Sequence, residues 1–458
     1  MSSDEHLDGI SARLSLALDA ELAEATALRH ELHAHPELSG SELMTRRMVL
    51  DRLPGPEAAE IADTGALVRI GGPGPAIAVR AELDALPIKE ATGAPWAAGN
   101  GAMHACGHDI HLAAVAALAR CVHRMGGPMP LLVVLQPREE TYPSGAKDVT
   151  SSGVLPQHEV RAMIGAHVQP VLPDGLVACD AGVVNAAADE FAVTMRGRGG
   201  HAAYPHLTAD PVLALAQFAV SAQHIVSRTA NPVVPTVVSI GSLRAGDAAN
   251  ATPEAATARG TLRTMSQAQR PLLQARLAEI ATGVAMTHGC SAEVTVLAGE
   301  PPLRNDARLA EVTSRHLGSL GLGIGGPLHS CGADDFAYFT EILPALMLFV
   351  GVGDGSSMRL HDHQFLPPDA TVRSTARALL AGYLAAAEIS GERMLTAAWP
   401  AGSLEAARGD HRAGAGGVAR RRIQEAKSSI SSTSWRADPA RSPGALEADV
   451  IYGCLEGA

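Results

Sequence analysis

The chain has 458 residues, more than one ordinary hydrophobic core accommodates, so we expect two domains with additional segments. Its hydrophobic content of 47% and charged content of 18% are typical of a well-packed globular protein and exclude a largely disordered chain. The formal net charge of −12 argues against nucleic acid as the main partner, because phosphate groups need a basic surface.

The sequence also bears on the compartment. The segment Met1–His6 is not a basic region followed by an apolar run, and no stretch approaches the roughly 20 apolar residues of a membrane span. The six cysteines, at positions 106, 121, 179, 290, 331 and 454, are widely scattered, which favours reduced thiols over a disulfide framework. We therefore expect a cytoplasmic protein without a membrane partner.

The first third of the chain predicts an α/β sheet. Apolar residues at helical spacing predict one helix from Leu7 to His35, ended by Pro36, and a second helix that begins near Ser41. Strands are expected over 66–70, 76–81, 131–136 and 162–167, with an apolar helix over 111–125. Alternation of strands and helices predicts a sheet covered on both faces.

The middle of the chain follows another pattern. Strands are predicted over 190–196, 235–241, 258–263 and 292–297, with helices over 211–227 and 265–288. This β-α-β-β-α-β order is that of a ferredoxin-like sandwich. We expect residues 186–300 to be an inserted domain, residues 1–185 and 301–390 to form the outer domain, and residues 391–458 to be a disordered tail.

The stretch His104–His111 concentrates metal-binding chemistry. It contains three imidazoles, one thiol and one carboxylate within the sequence HACGHDIH. Ligands of this kind suit Zn²⁺, Ni²⁺, Co²⁺ or Mn²⁺ when carboxylates complete the set. The alternative is the start of a helix that carries incidental histidines.

Other polar residues follow predicted strands, where α/β sheets gather their chemistry. Asp84, the pair Glu139–Glu140 and His167 all stand at predicted strand ends. Adjacent carboxylates point in different directions, so one can bind metal while the other faces a water molecule. Near the end of the sheet-forming part, His361 and His363 supply two further imidazoles, of which only one need bind.

Six motifs in order from about Leu28 to about Glu388 make the chain resemble a known family. They are RHELHAHPEL at 29–38, RAELDALPI at 80–88, MHACGHD at 103–109, QPREE at 136–140, GAHV at 165–168 and GGHAAYPH at 199–206. The chain is similar to the metal-dependent amidohydrolases that include hippurate hydrolase and the indoleacetyl-amino-acid hydrolases, within the aminoacylase and carboxypeptidase clan. The resemblance implies a zinc-peptidase-like catalytic domain with an inserted ferredoxin-like α+β dimerisation or lid domain.

The resemblance also implies roles for individual residues. Five positions match ligands of a site for two divalent ions (Zn, Mn, Co or Ni), namely Cys106, His108, Glu140, His167 and His361. Glu139 matches the catalytic base, which moves a proton from the attacking water to the leaving amine. Asp84 matches a residue that steadies the site, and His201 one that polarises the scissile carbonyl. Asn250 and Arg263 match segments that hold the substrate's carbonyl or carboxylate.

Some positions depart from the family pattern. Glu82 stands where Asp is usual, and Asp334 where Glu is common. Asp362–His363 follows His361 in place of a small residue and Pro, and Ala251–Thr252 replaces Val–Ile. None of these changes removes a required group, so they bear on substrate preference more than on activity.

The predicted function is metal-dependent hydrolysis of linear amides, specifically the amide bond of N-acyl amino acids such as hippurate-like substrates. One alternative is a dipeptidase or a deacylase of an amino-acid biosynthetic intermediate. Another, from a different class, is a catalytically inactive, metal-stabilised binding protein. We expect a small-molecule substrate, no nucleic-acid partner, and a homodimer or homotetramer.

Overall fold

The structure is a computed structural model that describes residues 3–55, 58–353, 355 and 359–398. The last helix continues to Ala398, past the boundary expected at residue 390. The remainder of the predicted tail, residues 399–458, lies outside the described residues.

The strands of the described chain are β1 Ala59–Ile61, β2 Gly65–Ile70, β3 Ala76–Glu82, β4 Leu131–Gln136, β5 Val160–Pro173, β6 Leu176–Ala178, β7 Gly182–Asn185, β8 Ala187–Arg196, β9 Gly200–His201, β10 Thr236–Ala245, β11 Ala251–Thr252, β12 Ala255–Thr264, β13 Ser291–Ala298, β14 Leu303–Asn305, β15 Gly323–Ile324 and β16 Ala345–Gly353.

The helices are α1 Ser3–Asp19, α2 Leu22–Ala34, α3 Leu43–Leu50, α4 His108–Met125, α5 Gly145–Ser151, α6 Val154–Gln157, α7 Pro211–Ala222, α8 Arg270–Thr287, α9 Ala307–Ser319, α10 Ala337–Thr340 and α11 Ala370–Ala398. A short 3-10 helix spans Pro205–Leu207, and a π-helical turn spans Ile225–Thr229.

An eight-stranded mixed sheet organises the larger part of the fold, in the order β1-β2-β4-β3-β5-β16-β6-β15. The central strands β4, β3, β5 and β16 are parallel to their neighbours within this group. Helices α1, α2, α4, α9 and α11 build the main hydrophobic core on one face. A second core lies on the other face, which confirms the predicted sheet with both faces covered.

A separate four-stranded antiparallel sheet has the order β10-β12-β8-β13. Helices α7 and α8 pack on this sheet around a core of their own. The chain order β8-α7-β10-β12-α8-β13 is the predicted β-α-β-β-α-β arrangement. The exact division of the chain at residues 185, 300 and 390 stays a prediction.

The prediction of one helix from Leu7 to His35 is wrong, because the chain breaks between α1 and α2. Glu21 at the break is buried, and its carboxylate pairs with Arg120 and Arg124 of α4. Periodicity alone does not reveal this break, because ion pairs with a distant helix stabilise it.

The prediction that His167 ends its strand is also wrong. Strand β5 continues to Pro173, and His167 pairs there with Phe349 of β16. Strand β3 pairs with β5 only as far as Ile164, so His167 pairs with β16 on one side and has no partner residue in β3 on the other. Over the described residues, no helix combines the length and apolar character needed to cross a membrane.

Candidate metal centre

The site lies where the parallel strands end. Asp84 follows β3, and Glu139 and Glu140 follow β4. Because β3 and β4 are parallel, their carboxyl ends meet at one edge of the sheet. The sequence therefore places these carboxylates beside His167 of β5.

A tight turn at Gly107 brings the thiol and imidazole of the HACGHDIH stretch to this edge. Gly107 has a φ of 86°, which favours glycine, and a Cβ there would lie 2.5 Å from Val168 Cγ2. Helix α4 begins directly after it, at His108. Cys106 and His108 thus flank the turn, and Cys106 Sγ lies 3.3 Å from His167 Nε2.

The candidate ligands converge. Within each of three groups, all ligand atoms lie within 4.8 Å of one another: Cys106, His108 and His167; Cys106, Glu140 and His361; and His108, Glu139 and Glu140. Two N or S ligands of one Zn²⁺, at about 2.0–2.3 Å from the ion, lie at most about 4.6 Å apart. The cluster is thus the right size to hold metal ions.

Two buried atoms of the cluster have no hydrogen-bond partner among the described residues, namely His108 Nε2 and Glu140 Oε1. Glu140 Oε1 lies 4.0 Å from His108 Nε2 and 3.5 Å from His361 Nε2. Buried polar atoms are rarely left without partners, and each such atom destabilises the fold by about 1–3 kcal/mol. A cation bound among these atoms would satisfy both, so the residues fit a metal centre.

The ring orientations of two histidines suit metal binding. His108 Nδ1 lies 2.8 Å from the backbone carbonyl oxygen of Asp84, and His167 Nδ1 lies 2.7 Å from that of Val168. A carbonyl only accepts, so each Nδ1 carries a hydrogen, and in the neutral ring the lone pair of each Nε2 is left to face the cluster. This arrangement fixes the tautomer that a metal ion requires.

Asp84 holds several parts of the site together. Its Oδ2 atom accepts hydrogen bonds from Ser39 Oγ at 2.6 Å and from the backbone N–H of Glu140 at 2.9 Å. Its Oδ1 atom lies 3.7 Å from His108 Nδ1. Burial raises the pKa of the Asp84 carboxyl, and these contacts oppose that shift.

The two adjacent glutamates have opposite electrostatic environments. Burial and then the charge of Glu140 raise the pKa of Glu139 well above its usual value. Burial would also raise the pKa of Glu140, but His361 and His108 outweigh it, and the pKa is lowered. Neighbouring carboxylates with pKa values pushed apart are suited to different tasks, here a proton acceptor and an anionic ligand.

Two further ligands, Cys106 and His167, are held in their neutral forms in the metal-free protein, whereas burial would lower the pKa of His108 but the charges of Glu82, Asp84 and Glu140 outweigh it and raise that pKa. Burial and the neighbouring His111 lower the pKa of His167 to about 3, and burial raises the pKa of the Cys106 thiol well above its usual value. Neutral imidazole is the form that binds metal, and a coordinating metal ion deprotonates a thiol.

The structure distinguishes His361 from His363. His361 has a φ of 63°, unusual for a residue other than glycine, and its backbone N–H donates to the Ala105 carbonyl at 2.8 Å. This conformation turns its ring toward Glu140. Both rings are about half exposed, but the ring of His363 lies beside Asp362, at 3.4 Å, instead of beside Glu140. His361 therefore belongs to the cluster.

Three predicted site residues lie in the insert. His201 on β9 pairs with Ala251 of β11, directly after Asn250. Within the described chain, the hydrogen bond and ring contact of His201 go to Ala203 and Tyr204 and do not reach the metal cluster. The structure thus brings His201 and Asn250 together, apart from the five ligands.

Arg263 on β12 contacts the other part of the fold. Its Nη1 atom donates to the carbonyl oxygen of Cys331 at 3.0 Å. Its charge also acts on Tyr142 and Glu300, whose side chains are hydrogen-bonded to each other. Arg263 therefore lies at the junction of the insert and the loop that carries Glu139 and Glu140.

Two residues that support the site, Ser39 and Arg80, were not predicted from the sequence. Nothing local marks Ser39, because its partner Asp84 is 45 residues away. Arg80 did carry a signal, since a charged residue inside a strand with both faces covered requires a buried partner.

Comparison with known proteins identifies relatives along most of the chain. The sequence profile of Peptidase family M20/M25/M40 matches residues 78–381. The N-acetylcysteine deacetylase of Bacillus subtilis strain 168 is 35% identical over 334 residues, covering 71% of this chain and 87% of that protein. The N-acetyldiaminopimelate deacetylase of the same organism is 33% identical over 374 residues, covering 79% of this chain and 98% of that protein.

A solved structure is also similar to this chain. The crystal structure of the YXEP protein of Bacillus subtilis, a dinuclear metal binding peptidase from the M20 family, is similar with a TM-score of 0.70 and 28% identity. The match covers 81% of this chain and 99% of that one. This chain therefore belongs to peptidase family M20/M25/M40 and is a hydrolytic enzyme that acts on amide bonds.

Proposed function

We propose that this enzyme hydrolyses the amide bond of N-acyl amino acids and releases a carboxylic acid and an amino acid. One observation carries the proposal. The unpartnered atoms His108 Nε2 and Glu140 Oε1 converge with three further metal-binding side chains, directly beside a glutamate whose pKa is strongly raised. The names of the deacetylase relatives support an acylated amino acid as substrate.

The proposed cofactor is a pair of divalent ions, with Zn, Mn, Co and Ni as candidates. The residues that would hold them are Cys106, His108, Glu140, His167 and His361. Bound divalent ions supply Lewis acidity, which polarises an amide carbonyl and lowers the pKa of a water molecule. The dinuclear centre of the YXEP protein supports two ions rather than one.

The proposed general base is Glu139. Its carboxylate accepts a proton from the attacking water and returns that proton to the leaving amine nitrogen. A general base works best when its pKa lies close to the working pH, and the raised pKa of Glu139 moves it in that direction. Asp84 holds the neighbouring Glu140 through the backbone N–H, so the two carboxylates keep separate orientations.

The insert is proposed to supply substrate contacts. Arg263 suits the α-carboxylate of an amino acid, because its guanidinium can donate two parallel hydrogen bonds. His201 and Asn250, adjacent on β9 and β11, are proposed to hold the scissile carbonyl. The insert is also the proposed dimerisation or lid domain, and assembly as a homodimer or homotetramer stays a prediction, as does a cytoplasmic location.

A substrate panel tests the proposed function. The metal-reconstituted enzyme should hydrolyse N-acetyl and N-benzoyl amino acids, and the metal-free enzyme should not. The panel also contains dipeptides, so that a dipeptidase is recognised. Turnover of dipeptides alone, or no turnover of any acylated amino acid by enzyme with a measured full metal content, would contradict the proposal.

A further inference from the structure

A line of charged side chains lies beneath the metal centre, inside the sheet. Strand β3 is buried along its whole length and yet carries Arg80 and Glu82. The Arg80 guanidinium pairs with the carboxylates of Glu82, Asp334 and Asp335. The proposed reaction uses none of these four side chains, although burying charged groups carries a large desolvation penalty.

One end of this line reaches the peptide that holds His167. The Glu82 carboxylate lies 3.0 Å from His111 Nδ1, and His111 Nε2 accepts the backbone N–H of Val168 at 3.0 Å. The carbonyl of the same residue, Val168, accepts the hydrogen of His167 Nδ1. Glu82 therefore influences the orientation of the His167 ring through the His111 side chain and the backbone of Val168.

The other end reaches the loop that carries Glu139 and Glu140. The Asp335 carboxylate accepts a hydrogen bond from Gln136 Nε2 at 2.7 Å, where β4 ends and the loop begins. It also accepts from Ser144 Oγ at 2.7 Å and from the backbone N–H of Ala146 at 3.2 Å, where the loop ends. One carboxylate thus joins both ends of the loop.

We propose that five positioning residues fix the distance between His167 and the loop that carries Glu139 and Glu140 (the glutamate loop): Arg80, Glu82, His111, Asp334 and Asp335. The inference rests on the proposed function, because it assigns these residues to the assembly of its metal centre. Arg80 connects the two halves of the line, because its guanidinium pairs with Glu82 on the side of His167 and with Asp335 on the side of the loop. Neither end of the line is exposed to solvent, so water cannot substitute for a missing contact.

The side-chain lengths of Glu82 and Asp334, two carboxylates of this line, should depend on each other. Glu82 and Asp334 both pair with Arg80, and one oxygen of each lies within 4.8 Å of the other and of a His167 nitrogen. Both side chains are buried in a close-packed region. Shortening Glu82 or lengthening Asp334 by one methylene group therefore disturbs the packing around Arg80. Making both changes at once keeps the total number of side-chain atoms the same.

The test uses Glu82→Asp, Asp334→Glu and the double variant, with Co²⁺ alone as the probe. Co²⁺ affinity is measured by competition with a chelator, and the thiolate-to-Co²⁺ absorption band reports the geometry at Cys106. Each single substitution should weaken Co²⁺ binding by about 10- to 100-fold, the usual effect of removing a partner that orients a ligand. The double variant should recover to within about 3-fold of the unsubstituted enzyme, a strong coupling in a double-mutant cycle.

Asp189→Glu is the matched control. Asp189 is equally buried and pairs with Arg270 in the insert, so it receives the same added methylene away from the metal centre. It should lower the melting temperature of the metal-free protein without weakening Co²⁺ binding. Loss of Co²⁺ affinity in the single variants and its recovery in the double variant support the inference, because the control separates a loss of stability from a loss of Co²⁺ binding.

Two sets of results would contradict the account, one for the positioning line alone and one for the metal centre as a whole. Unchanged Co²⁺ affinity in both single variants, or a double variant that is weaker than either, would refute the positioning line while leaving the metal centre intact. If the unsubstituted enzyme gave no thiolate band, or if Cys106→Ala kept the band, the proposed metal centre itself would fail, and this inference with it.

Discussion

The Nδ1 atom of His108 lies 2.8 Å from the backbone carbonyl oxygen of Asp84, and this contact sets the lone pair of His108 Nε2 toward Glu140. The side chain of the same aspartate accepts the N–H of Glu140. One residue at the end of β3 therefore orients two of the proposed ligands.

Ser39→Ala should lower kcat by about 10-fold with little change in KM. The Ser39 hydroxyl donates to Asp84 Oδ2 at 2.6 Å, and a hydrogen bond to a charged group contributes about 1.5–3 kcal/mol. Its loss should loosen Asp84 and, through it, the orientation of Glu140. Steady-state kinetics measure the effect. Ser41→Ala, at an exposed position nearby, is the control, and equal kinetics in the two variants would remove Ser39 from the account.

His361→Ala should lose bound metal and activity, whereas His363→Ala should keep both. His361 Nε2 lies 3.5 Å from Glu140 Oε1, while the ring of His363 lies beside Asp362. Metal content is measured by elemental analysis after dialysis, on the same samples that are assayed. Loss of metal in His363→Ala, with retention in His361→Ala, would reverse the assignment.

Asp189→Ala should destabilise the protein by about 3–5 kcal/mol, because it leaves Arg270 as an unpaired buried charge. Arg270 also donates to the carbonyl oxygens of Ala188 and Gly299, at the two points where the chain enters and leaves the insert. Equilibrium unfolding in urea measures the change. Glu279→Ala, which breaks an exposed pair with Arg276, should change stability by less than about 1 kcal/mol.

His33→Gln should destabilise the metal-free protein more at pH 6 than at pH 9. Burial would lower the pKa of His33, but the charge and hydrogen bond of Asp109, with Glu90, outweigh it and raise the pKa above 6.5. A raised pKa means that the charged pair contributes fully below the unfolded-state value and is lost as pH rises through the folded-state pKa.

Arg29 also contacts Asp109, and Trp96 packs against the His33 ring, so the substitution changes packing as well as charge, and the difference between the two pH values isolates the charge. Unfolding free energies at the two pH values, with chelator present throughout, provide the measurement. A destabilisation that is equal at both pH values would show that the effect is one of packing.

The sequence predicts the two sheets well because their signals are local. Strand β4 is an uninterrupted apolar run, and strand β8 alternates, so each is recognisable without knowledge of its neighbours. The break at Glu21 could not be predicted in this way. It depends on Arg120 and Arg124, a hundred residues along the chain, whose position only the folded structure provides.

The candidate site shows the same limit. Cys106 and His108 stand out because they are adjacent in sequence, and Glu139 and Glu140 because they follow an apolar strand. The choice between His361 and His363 could not be made from residue types, because it depends on the φ of 63° at His361. The line from His167 to the glutamate loop joins five segments, so no single stretch of sequence reveals it.

The most direct test of the central claim compares Glu139→Gln with Glu140→Gln, measuring kcat and bound metal on the same samples with an N-acyl amino acid as substrate. The two residues are adjacent and undergo the same change, yet their proposed tasks differ. We predict that Glu139→Gln keeps its metal and loses about 10²- to 10⁴-fold in kcat, the range for a general base. Glu140→Gln should lose metal. Near-normal turnover by fully metallated Glu139→Gln enzyme would contradict the account.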